Sequence, residues 1–208
     1  MNARAPIEPF TSRVVPLPLA NVDTDQIAPG TVAIATDPAV LRDGLFRYRR
    51  DEDRDFVLNR PEMQGRSILL TGPNFGCGSS REAAVWALVA FGFKAVISPS
   101  FGEIFRQNAV KSGLLPIVVA EHTADAVWRA VQSDSDVKFT VDLAAETVSA
   151  SDGSLHFSFR IDAFARDLLL TGRDELDYLL DLREQVQRYE ESTSIHHVTL
   201  SRIQLRTI

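Results

Sequence analysis

The chain has 208 residues, 45% of them hydrophobic, with a formal net charge of −6, which is enough apolar material for one domain with a packed core, with or without an appendage. The acidic balance excludes a general nucleic-acid binder, whose affinity comes from clustered Lys and Arg neutralising phosphates. Its apolar runs fall short of the roughly 20 residues a membrane helix needs, and Met1 to Pro9 lack the apolar stretch of a secretory leader, so no membrane partner and a cytoplasmic location are expected.

In chain order, Ser12 to Ile34 mixes apolar and polar residues. Pro16, Pro18 and Pro29 argue against a helix there, so short strands and loops are expected. Asp37 to Gln64 is polar and charged, with little periodicity. It reads as a mobile loop with one short helix near Pro38 to Asp43. The cluster Arg47-Tyr48-Arg49-Arg50 beside Asp51, Glu52 and Asp53 reads as a solvated charged loop.

The centre is more regular. Arg66 to Thr71 predicts a buried strand, and Gly72 to Gly78 a glycine-bearing loop. Ser79 to Phe91 predicts a helix, favoured by Ala83, Ala84, Ala87 and Leu88. Strand Ala95–Ser98, helix Phe101–Ser112, strand Leu115–Val119 and helix Thr123–Gln132 follow, with Gly113 as a helix stop. The alternation implies an α/β fold with a mostly parallel sheet, right-handed crossovers and helices on its faces. Val137–Leu143, Thr147–Ala150 and Leu155–Ile161 then read as short strands, with a hairpin turn at Ser151 to Ser154. Asp162–Leu170 predicts a helix ended by Gly172, and Arg173–Glu191 one long charged helix whose Leu176, Leu179, Leu180, Leu182 and Val186 mostly share a face. These assign residues 1–191 to one domain. The tail, 192–208, reads as either an added strand or a flexible end.

The one cysteine, Cys77, excludes an internal disulfide and fits a reducing compartment. One thiol is also too few for an iron–sulfur cluster. His122, His156, His196 and His197 lack zinc-site spacing, so no metal ligand is expected on this chain.

The chemistry concentrates in Gly72-Pro73-Asn74-Phe75-Gly76-Cys77-Gly78-Ser79-Ser80-Arg81-Glu82. The segment follows a strand and opens a helix, and ligands of open α/β sheets sit beyond the carboxyl ends of the strands. Gly76 and Gly78 let backbone approach a ligand closely. A helix N-terminus offers free N–H groups, and Arg81 can grip a carboxylate with two parallel bonds. A plain alternative is a capping box from Ser79 to Glu82. Capping does not account for the glycines, nor for an arginine whose charge opposes the helix dipole, a cost that an anionic ligand offsets. The segment matches neither a Walker loop nor a Gly-x-Ser-x-Gly elbow. Cys77 has no histidine near it in sequence to make it a nucleophile.

Asn74-Phe75-Gly76-Cys77-Gly78-Ser79-Ser80-Arg81-Glu82 resembles the signature of the aconitase-superfamily swivelling domain, in particular that of 3-isopropylmalate dehydratase small subunits. Asn21-Val22-Asp23-Thr24-Asp25-Gln26-Ile27, Asp55-Phe56-Val57-Leu58-Asn59, Ser100-Phe101-Gly102-Glu103-Ile104-Phe105, Lys111-Ser112-Gly113-Leu114-Leu115-Pro116-Ile117 and Leu169-Leu170-Thr171-Gly172 resemble the family's other motifs, in its order, over roughly residues 12 to 185.

The resemblance implies the swivelling fold with a C-terminal helical extension. It implies a hydro-lyase that isomerises 2-isopropylmalate and 3-isopropylmalate by dehydration and rehydration in leucine biosynthesis. Ser79 matches the base, Ser80 and Arg81 the carboxylate grip, and Asp25, an acidic position near the site, joins the substrate-binding set with Thr24 beside it. An Asx-type turn around Asp23 to Asp25 is the plain alternative there. Gly76, Cys77, Gly78, Ile27 and Val32 match the walls of the pocket. The segment Ala28 to Ile34 carries no arginine for a third carboxylate and suits an alkyl group. A [4Fe–4S] cluster is implied on a separate large subunit, so this chain alone is expected to be inactive, its partners being that subunit and a small dicarboxylate or tricarboxylate. Two departures stand out: Ala83, where the family usually has His, and Gln107 to Val110. They leave open a paralogue acting on another branched malate, and a non-catalytic module of the same fold.

Overall fold

The computed structural model describes residues 5–32 and 34–192. Its sheet grows from β1 (Phe10–Leu17), β2 (Ile68–Thr71), β3 (Ala95–Ser98) and β4 (Leu115–Val118), and three further strands, β5 (Lys138–Asp142), β6 (Thr147–Ala150) and β7 (His156–Ser158). The order is β4-β3-β2-β1-β5-β6-β7. The first four are parallel, with Val14 opposite Ile68, Ile68 opposite Ala95 and Ala95 opposite Leu115. β5 turns back antiparallel to β1, and β6 and β7 continue that meander. The expected α/β class therefore holds, as does the hairpin at Ser151 to Ser154. The sheet is mixed because β1, with a neighbour on each side, joins a parallel half to an antiparallel one.

Every residue of β2 and β3 is buried, as both faces of a parallel sheet must be when helices cover them. Successive side chains serve opposite cores. Val15, Leu69 and Val96 face one core, with Ala84, Ala87 and Leu88 of α4 (Glu82–Phe91) and Phe105 and Ala109 of α5 (Glu103–Lys111). Val14, Ile68, Leu70 and Ile97 face the other, with Val127 and Val131 of α6 (Glu121–Ser133) and Leu169 of α7 (Ala163–Thr171). Each such aliphatic burial stabilises the fold by about 1.5–3 kcal/mol. Asp162 caps α7 by accepting from the Phe164 and Ala165 N–H groups, and Gly172, at φ 69°, ends it as expected.

The segment 37–64 bears out the short helix expected near Pro38 to Asp43 but otherwise holds more regular structure than the expected loop. It forms α2 (Pro38–Gly44), α3 (Arg47–Glu52) and two 3-10 turns, Val57–Asn59 and Pro61–Met63. Asp37 caps α2 and Pro38 opens it. Leu41, Leu45, Phe46, Phe56, Leu58 and Met63 all enter the core. No stripe is visible in the sequence because these residues are scattered singly over short elements and the turns between them, and α3 itself buries none. The charged cluster is likewise a helix, with Arg49 donating to Gln26 Oε1 at 2.7 Å and Arg50 donating to Asn59 Oδ1 at 3.1 Å.

The described chain divides into two compact units, one ending at Asp174 and the other beginning at Glu175, inside the span expected as one domain. The second unit holds α8 (Glu175–Asp181) and α9 (Arg183–Ser192). The expected single helix is thus broken at Leu182, where no Gly or Pro signals a break in the sequence. Leu176, Leu179, Leu180 and Val186 are exposed. The expected strand or flexible end over 193–208 lies outside the described residues. Among the described residues, no helix is long and apolar enough to cross a membrane.

Candidate active site

The loop after β2 prolongs the parallel sheet past its carboxyl edge. On one side Cys77 bridges in parallel to Asp23, and the Gly76 N–H donates to Val22 O at 2.7 Å. On the other, Phe75 bridges in parallel to Phe101, and the Asn74 N–H donates to Ser100 Oγ at 2.8 Å. Three residues on this path are left-handed, and two of them, Gly76 at φ 71° and Gly78 at φ 88°, are glycines, which adopt that conformation without the Cβ penalty. Gly76 has a second reason to lack a side chain, since a Cβ there would lie 2.2 Å from Cγ of Phe105. Gly102 packs against the same loop, where a Cβ would come 2.4 Å from Gly76 O.

α4 begins at Glu82, not at Ser79 as expected. Its N-cap is Arg81 in extended conformation, and no side chain among the described residues caps it, so the capping box, the plain alternative for this turn, is absent. Ser79 and Ser80 stand exposed in the last turn of loop before the helix. The first N–H groups of α4 therefore carry its partial positive charge towards this turn.

Ser79 is fixed through its backbone. Its carbonyl accepts the Thr24 hydroxyl at 3.0 Å and the Arg81 N–H at 2.9 Å, which occupies both lone pairs. Its own hydroxyl makes no hydrogen bond with any described residue. Thr24 is 1% exposed, and its N–H donates to Cys77 O at 3.0 Å. Thr24 is thus a positioning residue, holding Cys77 and Ser79 from below. Thr24→Val, nearly isosteric, is expected to cost about 1 kcal/mol of stability and to lower kcat/KM about 10- to 100-fold through misplacement of Ser79. Kinetics beside thermal melts of the same variant check this; a loss of stability alone would leave Thr24 a core residue.

Thr24 opens α1 (Thr24–Ile27), capped by Asp23, which accepts from the Gln26 N–H at 2.8 Å. The Asx-type reading is therefore right for Asp23. Asp25 instead pairs directly with Arg81 Nη1. The carboxylate that offsets an arginine beside a helix N-terminus thus already stands in this chain, and a ligand is not needed to explain it. The pair is partly exposed, so its worth is positional more than energetic.

The structure brings Ser79, Ser80, Arg81, Asp25, Thr24, Gly76, Cys77 and Gly78 together. It does not bring Ile27 and Val32 to the surface, since they are 0% and 3% exposed and belong to the core. Val32 packs against Gly44 of α2. Ala83 is also buried, under the first turn of α4, so that departure from the family pattern bears on packing. Sequence reasoning missed Asn21 and Asn74. Both are left-handed, at φ 54° and 59°, and the Asn74 amide donates to Asn21 Oδ1 at 2.9 Å, tying the two loops. Asn tolerates that conformation better than other side chains, which is the signal that was available. Among the described residues no group of three or more His, Cys, Asp or Glu could hold a metal ion.

Comparison with known proteins places the chain in a family. The aconitase C-terminal domain model matches residues 11–122, and the model LeuD_N matches residues 125–163. A protein of Roseiflexus sp. (strain RS-1) named 3-isopropylmalate dehydratase small subunit is 47% identical over 203 residues, spanning 95% of this chain and 98% of its own. One of the same name from Acidothermus cellulolyticus is 46% identical over 187 residues, spanning 88% and 93%. The crystal structure of 3-isopropylmalate dehydratase (leuD) from Methanocaldococcus jannaschii superposes with a TM-score of 0.63 at 30% identity, covering 87% of this chain and 98% of that one. With relatives this similar along nearly its whole length, the chain belongs to the 3-isopropylmalate dehydratase small-subunit family, built on the aconitase C-terminal domain.

Proposed function

We propose that this chain is the small subunit of a heteromeric hydro-lyase that interconverts 2-isopropylmalate and 3-isopropylmalate in leucine biosynthesis, in the cytoplasm. The observation that carries the reading is Ser79, an exposed hydroxyl on a backbone pinned from both lone pairs of its carbonyl, one turn of loop from a helix N-terminus and two residues from Arg81. In this role Ser79 Oγ takes the proton from the carbon next to a substrate carboxylate. Ser80, Arg81 and the first N–H groups of α4 hold that carboxylate, and Asp25 orients the Arg81 fork. Positive potential from the helix end and Arg81 favours the alkoxide form of the base. Ile34, exposed on the segment after α1, offers an apolar surface suited to the isopropyl group.

The [4Fe–4S] cluster that family membership implies does not fit this chain. A cluster is held by several thiolates, and Cys77 is the one cysteine in the sequence. The cluster is therefore assigned to the large subunit, and the working site to the interface between the two chains.

Mixing the chain anaerobically with its reconstituted large subunit, and following hydration of dimethylcitraconate, tests the reading. Turnover is expected from the mixture and from neither chain alone. Turnover of another 2-alkylmalate with none of 3-isopropylmalate would replace the substrate. Arg81→Lys keeps the charge but loses the planar fork. It is expected to lower kcat/KM about 10- to 100-fold, the worth of one or two charge-assisted hydrogen bonds, in the same assay.

A further inference from the structure

At the amino ends of the parallel strands, three cations share one cavity. It has a volume of about 270 Å³ and is lined by Thr11, Ser12, Arg13, Arg66, Ser67 and Lys138. It is distinct from the Ser79 loop, because Ser67 to Thr71 alone spans about 13 Å along β2, and that loop leaves from the far end.

The charges here are poorly matched within the chain. Arg13 and Lys138 lie directly opposite one another across the β1–β5 ladder, an arrangement of like charges that costs stability. Arg13 pairs with Asp136 at 2.7 Å. Neither Lys138 nor Arg66 makes an ion pair with any described residue. Three cations against two carboxylates, Asp136 and Glu62, which both act on Arg66, leave one positive charge in excess.

Arg66 is the unusual member, being 4% exposed. Its Nε donates to Glu62 O at 3.0 Å and its Nη1 to Val14 O at 2.7 Å. These two bonds fix the guanidinium plane and leave Nη2 without a partner among the described residues. No side-chain nitrogen there is both buried and unsatisfied, so Nη2 reaches solvent, and Arg66 lines this cavity. Burial and then the Arg13 charge push the Arg66 guanidinium below its ordinary value, with Asp136 and Glu62 offsetting part of this. A buried cation with a neighbouring like charge calls for an anion.

We propose that this cavity binds a phosphate-class anion, free or as the phosphoryl group of a compact metabolite, between Arg13, Arg66 and Lys138. An anion answers the excess positive charge. Arg66 Nη2, held by the fixed guanidinium plane, gives a directed donor to oxygen, and Lys138 a point charge. The cavity lining holds no aromatic ring, so there is no platform on which a nucleobase would stack.

The test is calorimetric titration of the full chain with sodium phosphate, beside thermal melts in phosphate and in sodium chloride of matched ionic strength. Saturable binding and a rise in Tm are expected with phosphate alone. Lys138→Gln, at an exposed position, is expected to fold normally and to weaken binding about tenfold. Arg66→Lys, which keeps the charge and loses the fork, moves in the same direction. A phosphomonoester such as glycerol phosphate that binds more tightly than inorganic phosphate marks the metabolite form; equal or weaker binding marks the free ion. Equal responses from wild type and Lys138→Gln, or equal effects of phosphate and chloride, overturn the site.

Discussion

Ser79→Ala is expected to leave the subunit folded and able to join its partner while lowering kcat about a thousandfold, in the range for loss of a positioned base. The prediction is sharp because the two roles of Ser79 are separable. Its structural role runs through the backbone, as the carbonyl that accepts from Thr24 and from Arg81, and alanine keeps that carbonyl. Its chemical role is the exposed hydroxyl, which makes no hydrogen bond with any described residue. Melting temperature should therefore hold, and KM should change far less than kcat, since the carboxylate grip stays in place. Ser80→Ala is the informative neighbour. As a grip and not a base, it should raise KM more than it lowers kcat. Anaerobic kinetics on both variants, each complexed with the large subunit, decide the matter. Near wild-type turnover in Ser79→Ala would move the base elsewhere, and a lowered Tm would show that the hydroxyl has a structural partner.

How much of this was legible in the sequence differs by element. β3 and β6 match their expected bounds because short apolar runs between turn residues have few other readings. Within residues 37–64 the helix near Pro38 to Asp43 is legible, as α2, while the rest is not, because its order is tertiary. Phe46 is fully buried at φ 51°, a conformation its residue type disfavours and the surrounding core imposes. In the site, the place of Ser79, Ser80 and Arg81 beyond a strand end is legible from residue chemistry, while their proposed roles come from the family resemblance. The start of α4 was not, because the pairing of Arg81 with Asp25 joins residues far apart in sequence. Ile27 and Val32 were assigned to a pocket from their apolar character. The same character places them in the core, and sequence alone offers no way to tell a pocket wall from a core wall.

Gly76→Ala is expected to cost about 2–5 kcal/mol, the sum of a left-handed alanine and an overpacked core, and to abolish activity in whatever fraction still folds. At φ 71° the backbone is one that L side chains rarely adopt. The added methyl would also lie 2.2 to 2.6 Å from three atoms of Phe105. Phe105 has little room to yield, since it is buried, with Phe75 edge-on at 5.3 Å and Phe101 stacked at 6.1 Å between ring centroids. The loop must yield instead, and it carries Cys77 to Arg81 with it. Gly153→Ala separates the two costs. Gly153 has nearly the same angle, φ 73°, with nothing within 4 Å of its Cβ position, so it should pay the backbone cost alone. Denaturant midpoints of both variants then give the clash by difference, expected at about 1–3 kcal/mol. Equal losses would mean that Phe105 moves aside freely and that the aromatic cluster does not brace the loop. Adding Phe105→Ala to Gly76→Ala should cost less than adding it to wild type, because the ring it removes is the one in the way. Such coupling in a double-mutant cycle would tie the position of the Ser79 loop to packing on α5, an element that carries none of the proposed chemistry.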